Sequence, residues 1–229
     1  MDLSVAEAAS RLRVDRSRVE QLLRSGQLVG RRSGRLWLVD GDALAAWSAH
    51  PRAAWRPMAP ARAWGLLDLL DGGCAAWLSP VARSQVRARL RALDHAEPDQ
   101  WRGLLRARSN VRHVQVHPAA IPRLDSEPSV LLAGPKQAAD AGADLVAISP
   151  ESEAYVREDQ WDSLAKRLHA RVLPAGGNVI VRIPKVVWPF EGRGAVGSAA
   201  LAADLLESTE PRAVDAGLRL LQNRLRTAR

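Results

Sequence analysis

Residues 3–47 read LSVAEAASRLRVDRSRVEQLLRSGQLVGRRSGRLWLVDGDALAAW, and this stretch decides the fold of the N-terminal part. Ser4, with Glu7 three places on, forms an S-x-x-E capping box at a helix start. Val5, Ala8, Ala9 and Leu12 then fall at i, i+3, i+4 and i+7, one apolar helical face. Arg13-Val14 makes a short turn and Asp15 is the next cap. Val19, Leu22 and Leu23 form a second apolar face, and Gly26 is the expected stop. Two short strands are predicted over Leu28–Arg32 and Arg35–Val39, with Ser33-Gly34 as the turn between them. Asp40 can cap a third helix carrying Leu44 and Trp47.

Helix, short turn, helix, β-hairpin, helix is the order of a small winged helix-turn-helix. The opening "LSVAEAA", the exit "RSGQL" from the second helix and the hairpin "RRSGRLWLV" arrive in sequence. Over Leu3–Trp47 the chain resembles the excisionase/MerR-type DNA-binding module, which implies a double-stranded DNA partner. Such modules seat one helix in the major groove, which admits an α-helix and shows each base pair distinctly. Helix two is the candidate. Opposite its apolar face lie Ser17, Gln21 and Arg24, with Arg16 and Arg18 flanking. Gln can pair with adenine N6/N7 and Arg with guanine O6/N7. The hairpin adds Arg31, Arg32 and Arg35, suited to phosphates or a minor groove. The competing reading is a protein-binding scaffold with solvated arginines.

Outward from this module the chain is ordinary globular material. Its 229 residues are 47% hydrophobic and 25% charged, which excludes disorder over most of the length. Cys74 is the only cysteine, so no disulfide framework exists within the chain. No apolar run approaches the roughly 18 residues a membrane helix needs, and MDLSVAEAASRLR lacks the form of a signal peptide. The expectation is a soluble, cytoplasmic protein.

The net charge is +8, with 30 arginines against 3 lysines, a bias that suits a GC-rich genome. The excess is uneven: +2 over 1–50, +7 over 51–123 and −1 over 124–229. A basic centre favours a polyanion such as nucleic acid, or is simply a solvated arginine surface.

Residues 51–62, with three prolines, read as a linker. Beyond it helices are predicted near 63–71, 80–93 and 98–108, and strands at Val111–Val116, Val130–Ala133, Leu145–Ile148 and Asn178–Ile183. Trp161, Leu164, Ala165 and Leu168 mark a helical face. Two closing helices carry Leu201/Leu205 and Val214/Leu218/Leu221/Leu225, the second with Thr209 as cap and Pro211 in its first turn. The fold class is therefore α/β (α+β): a winged helix-turn-helix, then a larger mixed domain over 63–229. Within it, 63–112 orders as three helices and a strand. Arg83, Arg87, Arg89 and Arg91 make its second helix either a solvated arginine helix, the simpler reading, or part of a second, degenerate winged helix.

Enzyme-like signals are weak. Gly192, Gly194 and Gly197 match G-x-G-x-x-G, but Trp188–Glu191 intervene after the strand and Asp215 falls inside a helix, so a flexible loop is expected. Gly134-Pro135-Lys136 lacks the rest of a phosphate loop. His113 and His117 would share one strand face, too few ligands for zinc. Glu151/Glu153 and Glu158/Asp159 read as loop and helix-start charges. The eight tryptophans are dispersed among apolar neighbours and fit core packing better than base stacking. No catalytic residues, metal or cofactor are expected, and the protein is read as a non-enzyme.

The C-terminal half resembles AbiEi-type antitoxins, the DNA-binding partners of nucleotidyltransferase toxins, through ADLVAISPESEAYV (143–156), GNVIVRIPKVVWPF (177–190) and ALAADLLESTEPRAVDAGLRLL (200–221). This implies an N-terminal winged helix that represses its own promoter and a C-terminal domain that opposes a toxin. The alternatives are a stand-alone or ligand-responsive regulator and, against the absence of a metal constellation, a DNA-processing enzyme. The reading leaves open a homodimer on the operator.

Overall fold

The computed structural model describes residues 2–12, 14–24, 28–34, 36–49, 56–143 and 152–228. The chain divides into two compact units with the break near residue 51.

The first unit comprises β1 (Asp2–Ser4), α1 (Val5–Leu12), α2 (Arg16–Arg24), β2 (Gly30–Ser33), β3 (Leu36–Asp40) and α3 (Gly41–Ala49). Two of the caps the sequence specifies, at Ser4 and Asp40, form through side chains, whereas at the start of α2 it is the Asp15 backbone carbonyl that accepts, from the Arg18 and Val19 amides at 3.0 and 3.3 Å. Ser4 Oγ accepts from the Glu7 amide at 3.2 Å, and the Ser4 amide donates to Glu7 Oε2 at 2.7 Å. That backbone donor, and then the Ser4 hydroxyl, hold the Glu7 carboxyl below its usual pKa. Asp40 Oδ1 accepts from the Asp42 and Ala43 amides, both at 2.9 Å, and starts α3. The three strands form an antiparallel sheet in the order β1-β3-β2. Strand β1 is an addition to the expected hairpin: Leu3 pairs with Val39 and enters the core. That core joins Leu3, Ala8, Ala9, Leu12, Val19, Leu22, Leu23, Leu28, Val39 and Leu44. At Gly30 a Cβ would lie 2.5 Å from the Leu38 carbonyl oxygen and 2.7 Å from the Leu23 side chain, so only glycine lets β2 close on α2.

The second unit runs α4 (Pro60–Leu70), α5 (Pro80–Arg91), α6 (Pro98–Leu105), β4 (Ser109–Gln115), a 3-10 turn (Pro118–Ala120), α7 (Ile121–Asp125), β5 (Val130–Ala133), α8 (Pro135–Asp140), β6 (Ser152–Val156), α9 (Glu158–Arg167), β7 (Arg171–Leu173), β8 (Val179–Pro184), α10 (Ser198–Leu205) and α11 (Pro211–Thr227). The sheet order is β5-β6-β8-β4-β7. Only β6 and β8 pair in parallel; the other neighbours are antiparallel. Strand β4 takes both partners from residues 171–184, so 63–123 does not close on itself. The mixed α/β architecture of the chain is thus the expected one.

Side chains alternate across this sheet. Val114, Ala154, Val156, Val179, Val181 and Ile183 pack with Trp161, Leu164 and Leu168 of α9 and with α7. Tyr155, on the opposite face of β6, belongs to the cluster built by α4, α5, α6, α10 and α11. Trp64, Tyr155 and Phe190 meet edge-to-face there, with centroids 4.9–5.6 Å apart.

Several expectations are corrected. Pro60 lies in the expected linker but opens α4, because proline at the first helical position lacks only an amide that has no helical partner. Residues 51–55 of that linker, and the strand expected at Leu145–Ile148, lie outside the described residues. Glu153 is no loop charge: it sits in the fully buried strand β6, facing Arg182 (Glu151 lies outside the described residues). His117 has left the strand that holds His113, and its Nδ1 accepts from the Ala119 amide at 3.2 Å. Trp64, Trp101 and Trp161 are buried, and Trp37, Trp47, Trp77 and Trp188 pack at the edges of the cores. Trp55 lies outside the described residues.

Candidate nucleic-acid interface

Helix α2 buries Val19, Leu22 and Leu23 and leaves Arg16, Ser17, Arg18, Gln21 and Arg24 exposed. Its inner edge is anchored by the Leu28 amide, which donates to the Leu22 carbonyl at 3.1 Å. The five predicted side chains therefore share the solvent-facing surface of one short helix. They are not independent. Arg18 Nη1 donates to Gln21 Oε1 at 2.7 Å. Arg24 Nη2 binds Glu20 Oε2 at 2.7 Å, an i,i+4 pair between an exposed arginine and a half-buried glutamate.

Strands β2 and β3 form the hairpin. Gly34, at φ +60°, takes the left-handed conformation its tip requires, with open space around it. Arg31 is pinned by Asp2, Nη2 to Oδ2 at 2.6 Å. Arg32 lies over the Trp37 ring, 5.3 Å from its centroid. Arg35 lies outside the described residues. Leu36, beside the tip, is 71% exposed.

Sequence reasoning passed over Asp2, Glu20 and Trp37. The Glu20–Arg24 pair was legible from its spacing. Asp2–Arg31 was not, because it follows from the pairing of both β1 and β2 with β3. These contacts sort the arginines. Arg31 and Arg24 carry a carboxylate partner, Arg18 carries a neutral one, and Arg32 lies over a ring with no carboxylate partner among the described residues.

The second unit's glycine loop does not offer a phosphate cradle. The amide of Ala199, at the start of α10, donates to Asp71 Oδ1 at 3.0 Å, and Ser198 Oγ donates to the same oxygen at 2.8 Å. A helix N-terminus favours an anion, and here the chain's own carboxylate fills it. Burial raises the Asp71 pKa despite those donors. Gly197 has no room for a side chain, because Asp71 Oδ2 occupies the space its Cβ would need. Arg193, in the same loop, pairs with Asp68. The loop expected to be flexible is thus tied to α4 at two carboxylates. Gly134 likewise accommodates Glu153, with Cβ and Cγ of that side chain 2.9 Å from its would-be Cβ.

Between sheet and helices lies a buried ionic cluster. Arg108 binds Asp204 at 2.6 Å and Glu207 at 2.5 Å. Arg182 contacts Asp204 and Glu153, each at 3.3 Å, and also Glu207. Tyr155 Oη donates to Asp204 at 2.7 Å. Burial raises the Glu153 pKa. Burial also works to raise that of Glu207, but Arg108 and Arg182 outweigh it and hold Glu207 low. Both guanidiniums fill the space between the acids, so the cluster is built as a crosslink. Among the described residues, no three His, Cys, Asp or Glu side chains gather where a metal ion could be held. No helix among them is long and apolar enough to cross a membrane.

No curated protein and no solved structure matches the chain. Residues 3–49 match the family model of a helix-turn-helix domain, so the first unit carries such a domain.

Proposed function

We propose that the chain is a sequence-specific, double-stranded-DNA-binding transcriptional regulator that works by binding and not by catalysis. The observation that supports it most is α2: Arg16, Ser17, Arg18, Gln21 and Arg24 stand exposed on one short helix whose other face is locked into the core of a helix-turn-helix domain. That gives base-edge donors and acceptors on a rigid element, beside a hairpin carrying further arginines. Selection of duplexes from a random pool by the full chain tests it. One enriched motif, bound more weakly when Gln21 or Arg18 is removed, is the expected result. Failure to retain any duplex in dilute buffer overturns it.

The finer form of this reading is an autorepressing antitoxin of a nucleotidyltransferase-type toxin-antitoxin system. The sequence resemblance of residues 143–156, 177–190 and 200–221 supports it. Co-expression with a nucleotidyltransferase encoded beside the gene is the test: restored growth and co-purification are expected, and neither occurring would remove the antitoxin role. The alternative is a stand-alone or ligand-responsive regulator, the ligand-responsive form favoured by an open groove between α4, α5 and α11.

A further inference from the structure

The second unit holds a groove of about 340 Å³ lined by Leu69, Leu70 and Gly73 at the end of α4, Arg87, Leu90 and Arg91 on α5, and Leu225 and Ala228 at the end of α11. Its floor is formed by the edges of Leu69, Leu70 and Leu225, which belong to the core behind it, and by half-buried Leu90. Two arginines at i and i+4 share its rim, both exposed. Neither is engaged by a carboxylate among the described residues. Like charges four apart on a helix repel, so this arrangement costs stability unless an anion joins them. Stabilisation of the helix dipole does not account for both. The last turn of α5 already holds Arg89 and Arg91, whereas Arg87 stands a turn earlier. The helix is also sparsely anchored, with Val86 its only fully buried residue.

We infer that this groove is a binding site for a small amphipathic carboxylate, its acid group held by Arg87 and Arg91 and its apolar body laid on Leu69, Leu70, Leu90 and Leu225. The chemistry selects this class. Guanidinium groups bind carboxylates through paired, charge-assisted hydrogen bonds. A leucine floor gives nothing to a bare phosphate and buries an alkyl chain. The size agrees, since ~340 Å³ holds about eleven waters at ~30 Å³ each, the room of a ligand of about ten heavy atoms. Volumes from about 300 Å³ upward are typical of small-molecule sites with an apolar lining and a few polar anchors.

Titration of octanoate into the full chain by calorimetry tests the site without recourse to DNA. One saturable site per chain is expected. Arg87→Gln with Arg91→Gln should weaken octanoate by about 10- to 100-fold, and both residues are exposed, so the fold should survive. Octanol, with the same tail and no charge, should bind the unaltered chain as weakly as octanoate binds that variant. Leu90→Gln should weaken octanoate while both guanidiniums remain. The inference is overturned by any of three results: no saturable binding, unchanged affinity in the double variant, or inorganic phosphate binding as tightly as octanoate. The last would mark the rim as a plain polyanion surface.

Discussion

Arg18 and Gln21 are joined by a 2.7 Å hydrogen bond from guanidinium to amide oxygen, so two side chains on the exposed face of α2 form one unit. An adenine contact uses both ends of a glutamine amide, and here the oxygen already serves Arg18. Gln21→Ala should therefore relax selectivity at one base pair by ~1–3 kcal/mol. Arg18→Ala should disturb the same position. A double-mutant cycle over single-base operator variants should show coupling of about 0.5 kcal/mol or more. Additive losses spread evenly over all operators would show that the pair only positions the helix.

Asp2 holds one of the hairpin cations. Asp2→Asn should free Arg31, tighten binding to every duplex and steepen the plot of log affinity against log salt by about 0.9 for each further phosphate neutralised. Arg32→Ala should flatten the same plot by about as much. An unchanged slope in both variants would place the hairpin away from the DNA backbone.

Asp204 touches Arg108, Arg182 and Tyr155 in the interior of the second unit. Asp204→Ala leaves two buried cations short of counter-charge and should cost ~3–5 kcal/mol of stability. Tyr155→Phe removes a donor to a charged acceptor and should cost ~1.5–3 kcal/mol. Urea titration measures both. Near-neutral effects would mean that water replaces the lost groups.

The acids of this cluster respond to pH in opposite senses. Glu153 ordinarily titrates at 4.5, and burial raises it. Above 4.5 the unfolded side chain ionises while the folded one retains its proton, so its contribution to stability falls as pH rises through that window. Glu207 is held low. Its contribution is present above 4.5 and lost as pH falls through the lowered value. Glu153→Gln should remove the first effect, leaving a shallower decline of stability as pH rises from 4.5, the remainder coming from Asp71, whose pKa burial also raises. Denaturation midpoints across that range check the sign.

The first unit was legible because its signals are local. Ser4 and Glu7, Asp40, and the apolar positions of α1 and α2 each declare themselves within a few residues. The three-residue strand β1 was not, since a lone Leu3 facing Val39 makes no pattern. Strand β6 escaped for a different reason. Glu153, second in the strand, reads as a loop charge until Arg182, on the neighbouring strand, pairs with it. Prolines misled in one place, where Pro60 begins a helix that its neighbours argue against. On α2 the exposed residues followed from periodicity, whereas the hairpin's partners Asp2 and Trp37 required the sheet. Arg87 and Arg91 were visible as a spacing, but the leucines beneath them come from α4, α5 and α11, far apart in sequence, and no local pattern shows that.

The location of Asp204 and Glu207 so late in the chain has a genetic corollary. A premature stop between the end of β8 and codon 204 would spare every described strand, yet it would strip α11 and part or all of α10 from the core, leave Arg108 without either carboxylate and leave Arg182 with Glu153 alone. Such a product should be cleared by proteases although its helix-turn-helix domain is intact. Nonsense alleles in that interval should therefore behave like deletions.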